Sequence, residues 1–155
     1  MIYLSQYDPR WCQKLIGAST LTLGRQGCAI TSVCNALAKF GIYFNPDELA
    51  SHVELFTPQG LIIWAKVQEW LKAKYPYKSF SIYRYYGRSD QAIVQNLKPG
   101  SAVLLQVANK SHWVMAERKQ WLRNDYTVGD SWGGVARTAI GDYSNITGYV
   151  IIRIT

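Results

Sequence analysis

Hydrophobic and polar positions divide the chain into a helical first half and a strand-rich second half. Across residues 28–40 the apolar residues recur at helical spacing, and Gly41 supplies a stop. Residues 45–49 are typical of a short helix with a capped start and a proline in its first turn. Apolar positions within residues 61–74 again follow helical spacing, which predicts a third helix before Pro76.

The character of the chain changes after the third predicted helix. A β-branched and aromatic run at 79–86 predicts a strand, residues 90–97 a short helix, and a Pro-Gly turn leads into an apolar strand at 101–107. Further strands are predicted at 112–117, 126–129 and 149–154. We therefore expect a single α+β domain over residues 1–155, with N-terminal helices packed on a C-terminal antiparallel sheet.

The first predicted helix has a polar side that carries a cysteine. At about 100° per residue, Cys28, Ser32 and Asn35 lie opposite the apolar stripe. Gly27 permits a tight turn just before Cys28. A thiol in a first helical turn receives free N–H groups and the positive end of the helix dipole, which favour the thiolate near neutral pH. The competing interpretation is that Cys28 is a small buried apolar residue.

A cysteine nucleophile needs a base, and the chain contains two histidines. His52 lies in a polar stretch typical of the surface. His112 opens an apolar segment, where its ring can face a cleft. Asp130 ends the next predicted strand, and antiparallel pairing would bring its carboxylate beside His112 as the third member of a triad. Taken singly, His112 is equally compatible with a core histidine and Asp130 with a turn residue.

A nucleophilic mechanism also needs donors for the oxyanion, commonly the N–H of the nucleophile and a side-chain amide. The candidates are Gln6 and Gln26. Gln26 is close to Cys28 in sequence, whereas a donor across a cleft must come from elsewhere in the fold. We therefore favour Gln6 and keep Gln26 open.

The net charge of the chain indicates which classes of partner it favours. Seventeen Lys and Arg against ten Asp and Glu give a net charge of +7, which favours nucleic acid, an anionic membrane or an anionic cell-wall polymer. Lysines, arginines and tyrosines alternate within residues 72–88, a pattern that could stack bases. A solvated face beside ordinary strand aromatics is the simpler interpretation, so nucleic acid is the less favoured partner.

The remaining composition argues against bound metals and cofactors. Cys12, Cys28 and Cys34 are odd in number and show no zinc spacing, and the acidic residues are too scattered for a calcium loop. We expect a reduced protein with no metal and no cofactor. The start of the chain lacks a secretory signal and no apolar run could span a membrane, so we expect synthesis in the cytoplasm.

These residues together resemble the C39-like branch of the papain-fold cysteine peptidases, common in phages and Gram-positive bacteria. The resemblance covers nearly the whole chain and is carried by residues 5–11, 15–17, 27–32, 40–41, 46–49, 111–114 and 128–134. It implies a papain-like fold in which Cys28 is the nucleophile, His112 the general base and acid, Asp130 the orienting group and Gln6 the oxyanion donor. The chain departs from the family at Asp130-Ser131, where Asp-Pro is frequent.

The expected function is hydrolysis of peptide or amide bonds through a Cys28–His112–Asp130 triad. A small basic enzyme of this branch fits a phage endolysin-type hydrolase of peptidoglycan, which reaches the cell wall after a lysis event. Two alternatives stay open: a peptidase that processes a specific protein, and a catalytically idle module that binds peptide or wall polymer.

Overall fold

A single antiparallel sheet organises the protein. The computed structural model describes residues 1–155, and its six strands are β1 Phe80–Tyr86, β2 Ser101–Val107, β3 His112–Gln120, β4 Asp125–Asp130, β5 Val135–Thr138 and β6 Gly148–Ile154. Their order across the sheet is β1-β6-β2-β3-β4-β5, and every neighbouring pair is antiparallel. Strand β2 is central and is buried along most of its length, which accounts for its continuous apolar sequence.

Six α-helices surround the sheet: α1 Leu23–Gln26, α2 Cys28–Ala38, α3 Pro46–Ala50, α4 Trp64–Lys74, α5 Asp90–Gln95 and α6 Ala139–Asp142. Short 3₁₀ turns occupy Val53–Leu55 and Trp121–Arg123. The start of α3 is closed by a capping box, in which the Glu48 carboxylate accepts the Asn45 N–H at 3.1 Å. None of these helices is both long and apolar enough to cross a membrane.

The two faces of the sheet bury separate hydrophobic cores. Helices α2, α3 and α4 cover one face, where the sheet contributes Phe80, Ile82, Ala102, Leu104, Met115, Val150 and Ile152. The opposite face packs against α5 and α6 through Val103, Leu105, Val107, Val114, Ala116, Val128 and Ile151. Alternation along each strand produces both sets, because successive side chains point to opposite faces.

The polar side of α2 is buried against protein. The Ser32 hydroxyl donates to the Trp113 carbonyl of β3 at 3.0 Å, and the Asn35 side-chain oxygen accepts the Leu4 N–H at 2.8 Å. Apolar residues on its other side, such as Val33 and Leu37, enter the core. Helix α2 is therefore fixed on both sides, and its first turn is held against the start of β3.

Residues 3–11, which we call the N-terminal strap, cross from α2 to the end of β4. The Gln6 N–H donates to the Ser131 carbonyl at 2.9 Å, and the Trp11 indole donates to the Ser5 carbonyl at 2.8 Å. The Tyr3 ring lies against Gly129, where a Cβ atom would overlap the ring. Gly129 therefore makes the close approach of the strap to β4 possible.

The α+β class and the helices-then-sheet order predicted from sequence are confirmed. The third predicted helix begins later than residue 61, at Trp64, because Ile62 forms a β-bridge with Phe56. Strand β5 was not predicted. It is a four-residue edge strand with mostly exposed side chains, so it carries no hydrophobic alternation that a sequence could show.

We predict that Gly129→Ala lowers the free energy of unfolding by about 1–3 kcal/mol, because the new methyl group overlaps the Tyr3 ring. Urea denaturation of Gly129→Ala, Tyr3→Ala and the double variant measures this. The alanine at 129 should cost much less in the Tyr3→Ala background. Equal costs in the two backgrounds would show that the ring is not the obstacle.

Candidate active site

Cys28 is the first residue of α2 and sits directly after a glycine that the backbone requires. A Cβ atom at Gly27 would overlap the Leu23 carbonyl oxygen, which also accepts the Gly27 N–H at 2.8 Å. The chain can therefore pass from α1 into α2 in this tight turn only with glycine at position 27. Cys28 is half-buried and lines a cleft between the helices and the sheet.

The surroundings of the Cys28 thiol oppose ionisation on balance. Burial raises the pKa of Cys28, and the nearby Asp130 carboxylate raises it further. Hydrogen bonds from the backbone N–H groups of Trp113 and Ala29 act in the other direction without reversing the shift. Desolvation therefore opposes the ionisation that the N-terminus of α2 favours. A thiolate here needs a further positive charge or a base.

His112 is the first residue of β3 and its side chain is wholly buried. Its Nε2 lies 2.7 Å from Asp130 Oδ1. The β3–β4 register pairs Val114 with Asp130, which brings the end of β4 beside the start of β3 as the sequence predicted. The Trp132 ring stacks on the imidazole with 3.7 Å between ring centroids. The imidazole is therefore fixed by a hydrogen bond at one nitrogen and by stacking on its face.

The Asp130 carboxylate is wholly buried and surrounded by donors. Besides His112, the Trp132 N–H donates to it at 2.9 Å, the Arg137 Nε lies 2.8 Å from Oδ2, and the Tyr143 hydroxyl donates to Oδ2. Burial acts to raise the pKa of Asp130, but the hydrogen bonds from His112, Tyr143 and Trp132 together hold it below its usual range. Asp130 is therefore a stable anion beside the imidazole.

The ionised carboxylate decides which imidazole nitrogen is free. A carboxylate only accepts hydrogen bonds, so Nε2 of His112 carries a proton and donates it to Asp130. Nδ1 is buried and has no hydrogen-bond partner. In neutral His112, Nδ1 is therefore an unprotonated acceptor. The next residue of β3, Trp113, donates its N–H to the Cys28 sulfur.

Two serines tie the three elements of the site together. The Trp113 carbonyl accepts the hydroxyl of Ser32 from α2 at 3.0 Å and the hydroxyl of Ser131 at 3.1 Å. Ser131 is the position where the resembled family often has proline. Its hydroxyl gives β4 a link to β3 that proline could not supply.

Gln6 enters the site from the N-terminal strap. Its side chain is wholly buried, and Nε2 donates to the Gly24 carbonyl of α1 at 3.1 Å. This bond uses one of the two amide hydrogens, and the amide oxygen has no partner. Gln26, the alternative, is exposed at the rim of the cleft. Gln6 is thus the preorganised amide of the two.

Other residues considered from sequence lie outside this arrangement. His52 packs against Trp70 with 4.9 Å between ring centroids and lies 3.5 Å from the Glu54 carboxylate. Cys34 is wholly buried in the core, where burial raises the pKa of its thiol. No group of three His, Cys, Asp or Glu side chains is arranged to hold a metal ion.

Sequence reasoning missed the residues that support the His112–Asp130 pair. Trp132 and Arg137 follow Asp130 closely in sequence, and the Gly133-Gly134 turn that returns the chain to β5 was the available signal. Tyr143 lies beyond β5 and carries no local signal. Its contact with Asp130 arises from the tertiary fold.

The cleft beside Cys28 has a volume of about 440 Å³. The segment from Gly60 to Trp64 borders it, as do Ser111 and Trp113 at the start of β3. Its lining consists of Gln26, Cys28, Ala29, Gly60, Leu61, Ile62, Trp64, Arg84, Gln106, Lys110, Ser111 and Trp113.

Comparison with models of known protein families gives no match to this chain, and comparison with curated proteins gives none either.

We predict that His112 lowers the pKa of the Cys28 thiol. Because burial raises that pKa, iodoacetamide should alkylate Cys28 of the His112→Ala variant with a midpoint above the ordinary thiol value of about 8.5. The midpoint should be lower with His112 present, because an imidazolium stabilises the thiolate. Rates are measured by mass spectrometry across pH in a Cys12→Ser background. Identical midpoints would contradict electrostatic coupling between the two side chains.

A second prediction concerns acid stability. Since the folded-state pKa of Asp130 is depressed, its carboxylate stabilises the fold above its unfolded pKa of about 3.9, and this contribution is lost as pH falls through the folded value. Asp130→Asn should cost about 3 kcal/mol of unfolding free energy at pH 5, because Arg137 and His112 lose their anion. Denaturant unfolding should show that cost shrinking by pH 3. A cost independent of pH would contradict the assignment.

Proposed function

We propose that this protein is a cysteine peptidase that uses Cys28 as its nucleophile. The observation that carries the proposal is the buried His112–Asp130 pair, in which Nδ1 of His112 has no partner. The neighbouring residue, Trp113, donates its N–H to the Cys28 sulfur. A structural histidine has no need of an unpartnered buried nitrogen, since such an atom costs stability. A general base requires one.

The proposed mechanism gives each group one role. His112 Nδ1 takes the proton of the Cys28 thiol as the sulfur attacks a substrate carbonyl carbon, forming a tetrahedral oxyanion. The Cys28 N–H, at the start of α2, and the Gln6 amide donate to that oxygen. The imidazolium then protonates the leaving amine as the C–N bond breaks. Water, deprotonated by His112, cleaves the resulting thioester and restores the thiol.

In this scheme Asp130 orients the imidazole and stabilises its protonated form. It fixes the tautomer with Nδ1 free and stabilises the imidazolium that forms in both steps. Arg137 and Tyr143 keep the carboxylate ionised and in place. The raised pKa of the Cys28 thiol makes this base necessary, because little thiolate forms without it at neutral pH.

We further propose a papain-like fold of the C39-like branch. Support comes from the nucleophile at the start of α2, the histidine at the start of β3 and the acid at the end of the adjacent β4. The N-terminal strap, which places Gln6 beside this arrangement, corresponds to the first motif of the resemblance.

For the substrate, we propose the peptide portion of bacterial peptidoglycan, as in phage endolysin-type enzymes. Residues of α2, the 60–64 segment and three strands line the cleft, and a lining drawn from so many elements suits an extended peptide. A net charge of +7 favours adhesion to a wall that carries anionic polymers. A protein-processing peptidase remains the alternative within the same chemistry.

We predict that purified protein clears suspensions of bacterial walls and that Cys28→Ala reduces the clearing rate by roughly 10³-fold or more, because the nucleophile is lost. Turbidity of Gram-positive walls and of permeabilised Gram-negative walls measures this. Cys12→Ser is the matched control and should retain most activity, since Cys12 lies outside the triad. Mass spectrometry of released fragments identifies the bond.

The same assay ranks the other triad members. His112→Ala should match Cys28→Ala, whereas Asp130→Ala should lose less, because orientation is its role. Unchanged clearing by Cys28→Ala would show that Cys28 is not the nucleophile. If neither the wild type nor any variant clears the walls, the wall is not the substrate, and a processing peptidase or an idle binding module is favoured.

A further inference from the structure

Arg84 holds an unusual position in the cleft beside Cys28. Four cross-strand neighbours form a row across β1, β6, β2 and β3 on the face of the sheet that α2, α3 and α4 cover: Tyr86, Gly148, Gln106 and Trp113. The Arg84 guanidinium lies over this row, 4.2 Å from the Tyr86 ring centroid and 5.0 Å from that of Trp113. Its Nη2 donates to Gln106 Oε1 at 3.1 Å.

The sheet provides a slot for this guanidinium. A Cβ atom at Gly148 would overlap Arg84 Nη1, so the absence of a side chain at this position is what admits the group. Two aromatic rings and the Gln106 amide then restrict its rotation. Arg84 is therefore a preorganised cation, unlike a free surface arginine.

No carboxylate neutralises this charge. Arg84 takes part in none of the ion pairs of the protein, whereas Arg10, Arg88 and Arg137 each have an aspartate partner. Partial burial lowers the pKa of Arg84, yet an arginine remains protonated in proteins. The cleft contains a second cation, Lys110, and no Asp or Glu among its lining residues.

The guanidinium also retains hydrogen-bonding capacity. Of the five N–H donors of an arginine, one goes to the Tyr85 carbonyl and one to Gln106. The remaining three are enough for a bidentate bond to a carboxylate, the anion that matches a guanidinium best in a peptide.

We propose that Arg84, positioned by Gln106 and Gly148 and assisted by Lys110, binds a carboxylate of the peptide whose scissile bond lies over Cys28. This inference rests on the proposed function and specifies its substrate class as acidic peptides. The carboxylate has two sources in such a peptide, an acidic side chain or a free terminal carboxyl group. Both present the same chemistry to Arg84.

The test is a fluorescence titration of the Cys28→Ala protein, in which Trp64 and Trp113 of the cleft report binding. Three N-acetylated pentapeptides serve as probes: one with a central Glu and an amidated terminus, one with Gln in its place, and the Gln peptide with a free terminus. Affinity for at least one carboxylate-bearing probe should exceed that for the neutral probe by about tenfold. The probe that gains identifies the source.

Variants assign the preference to Arg84. Arg84→Gln in the same protein should reduce the preference to less than about twofold, and Arg84→Lys should restore part of it. Arg123→Gln is the matched control, because it removes the same charge from an exposed arginine that does not line the cleft. Circular dichroism melting checks that each variant is folded. Equal affinity for all probes, binding of none, or a preference that survives Arg84→Gln would overturn the proposal.

A hydrolysis experiment separates this inference from the proposed function. Wild type is incubated with soluble wall peptides before and after their carboxyl groups are converted to amides, and cleavage is followed by mass spectrometry. Cleavage of the acidic form in preference supports both proposals. Equal cleavage of both forms overturns only the role of Arg84. A carboxylate preference in the titration without any cleavage supports the binding site and counts against the peptidase.

Discussion

The joint between the first turn of α2 and the first residues of β3 is the contact on which the candidate site depends. Ser32 from α2 and Ser131 from the end of β4 both donate to the Trp113 carbonyl, while the Trp113 N–H reaches the Cys28 sulfur. The backbone of one residue thus links α2, β3 and the end of β4 at a single point. Because the contact is buried and its polar groups are paired, sliding of α2 along the sheet would break several hydrogen bonds at once.

The surroundings of Asp130 and of Cys28 shift the pKa values of these two acidic groups in opposite directions. Asp130 is buried but receives four donors, so its anion is stable. Cys28 is half-buried with backbone N–H donors alone, and desolvation raises its pKa. The fold therefore holds a permanent negative charge beside the imidazole, and at the start of α2 a thiol whose pKa is raised. In the mechanism that we propose, a proton moves between sulfur and imidazole only as the substrate carbonyl is attacked, which is the behaviour expected of general-base activation.

The arginines of the protein differ in their partners. Arg10 and Arg88 are engaged by aspartates, and Arg137 completes the shell of Asp130. Arg84 alone among these is held in the cleft without an anion, between aromatic rings and over a glycine. In the function that we propose, the net charge favours adhesion to an anionic surface, and the positioned guanidinium selects among peptides.

Periodicity by itself determined the order of the main elements, the polar side of α2 and the position of Cys28 at its start, because these depend on neighbours within a few residues. It also placed His112 and Asp130 at the ends of two strands, so one pairing assumption was enough to bring them together. The tertiary structure alone decided three other matters. Tyr143 reaches Asp130 across the fold, Arg84 of β1 reaches over β6 to Gln106 of β2, and the pKa of Cys28 rises. These properties depend on burial and on contacts between distant segments, and neither quantity is encoded in local spacing.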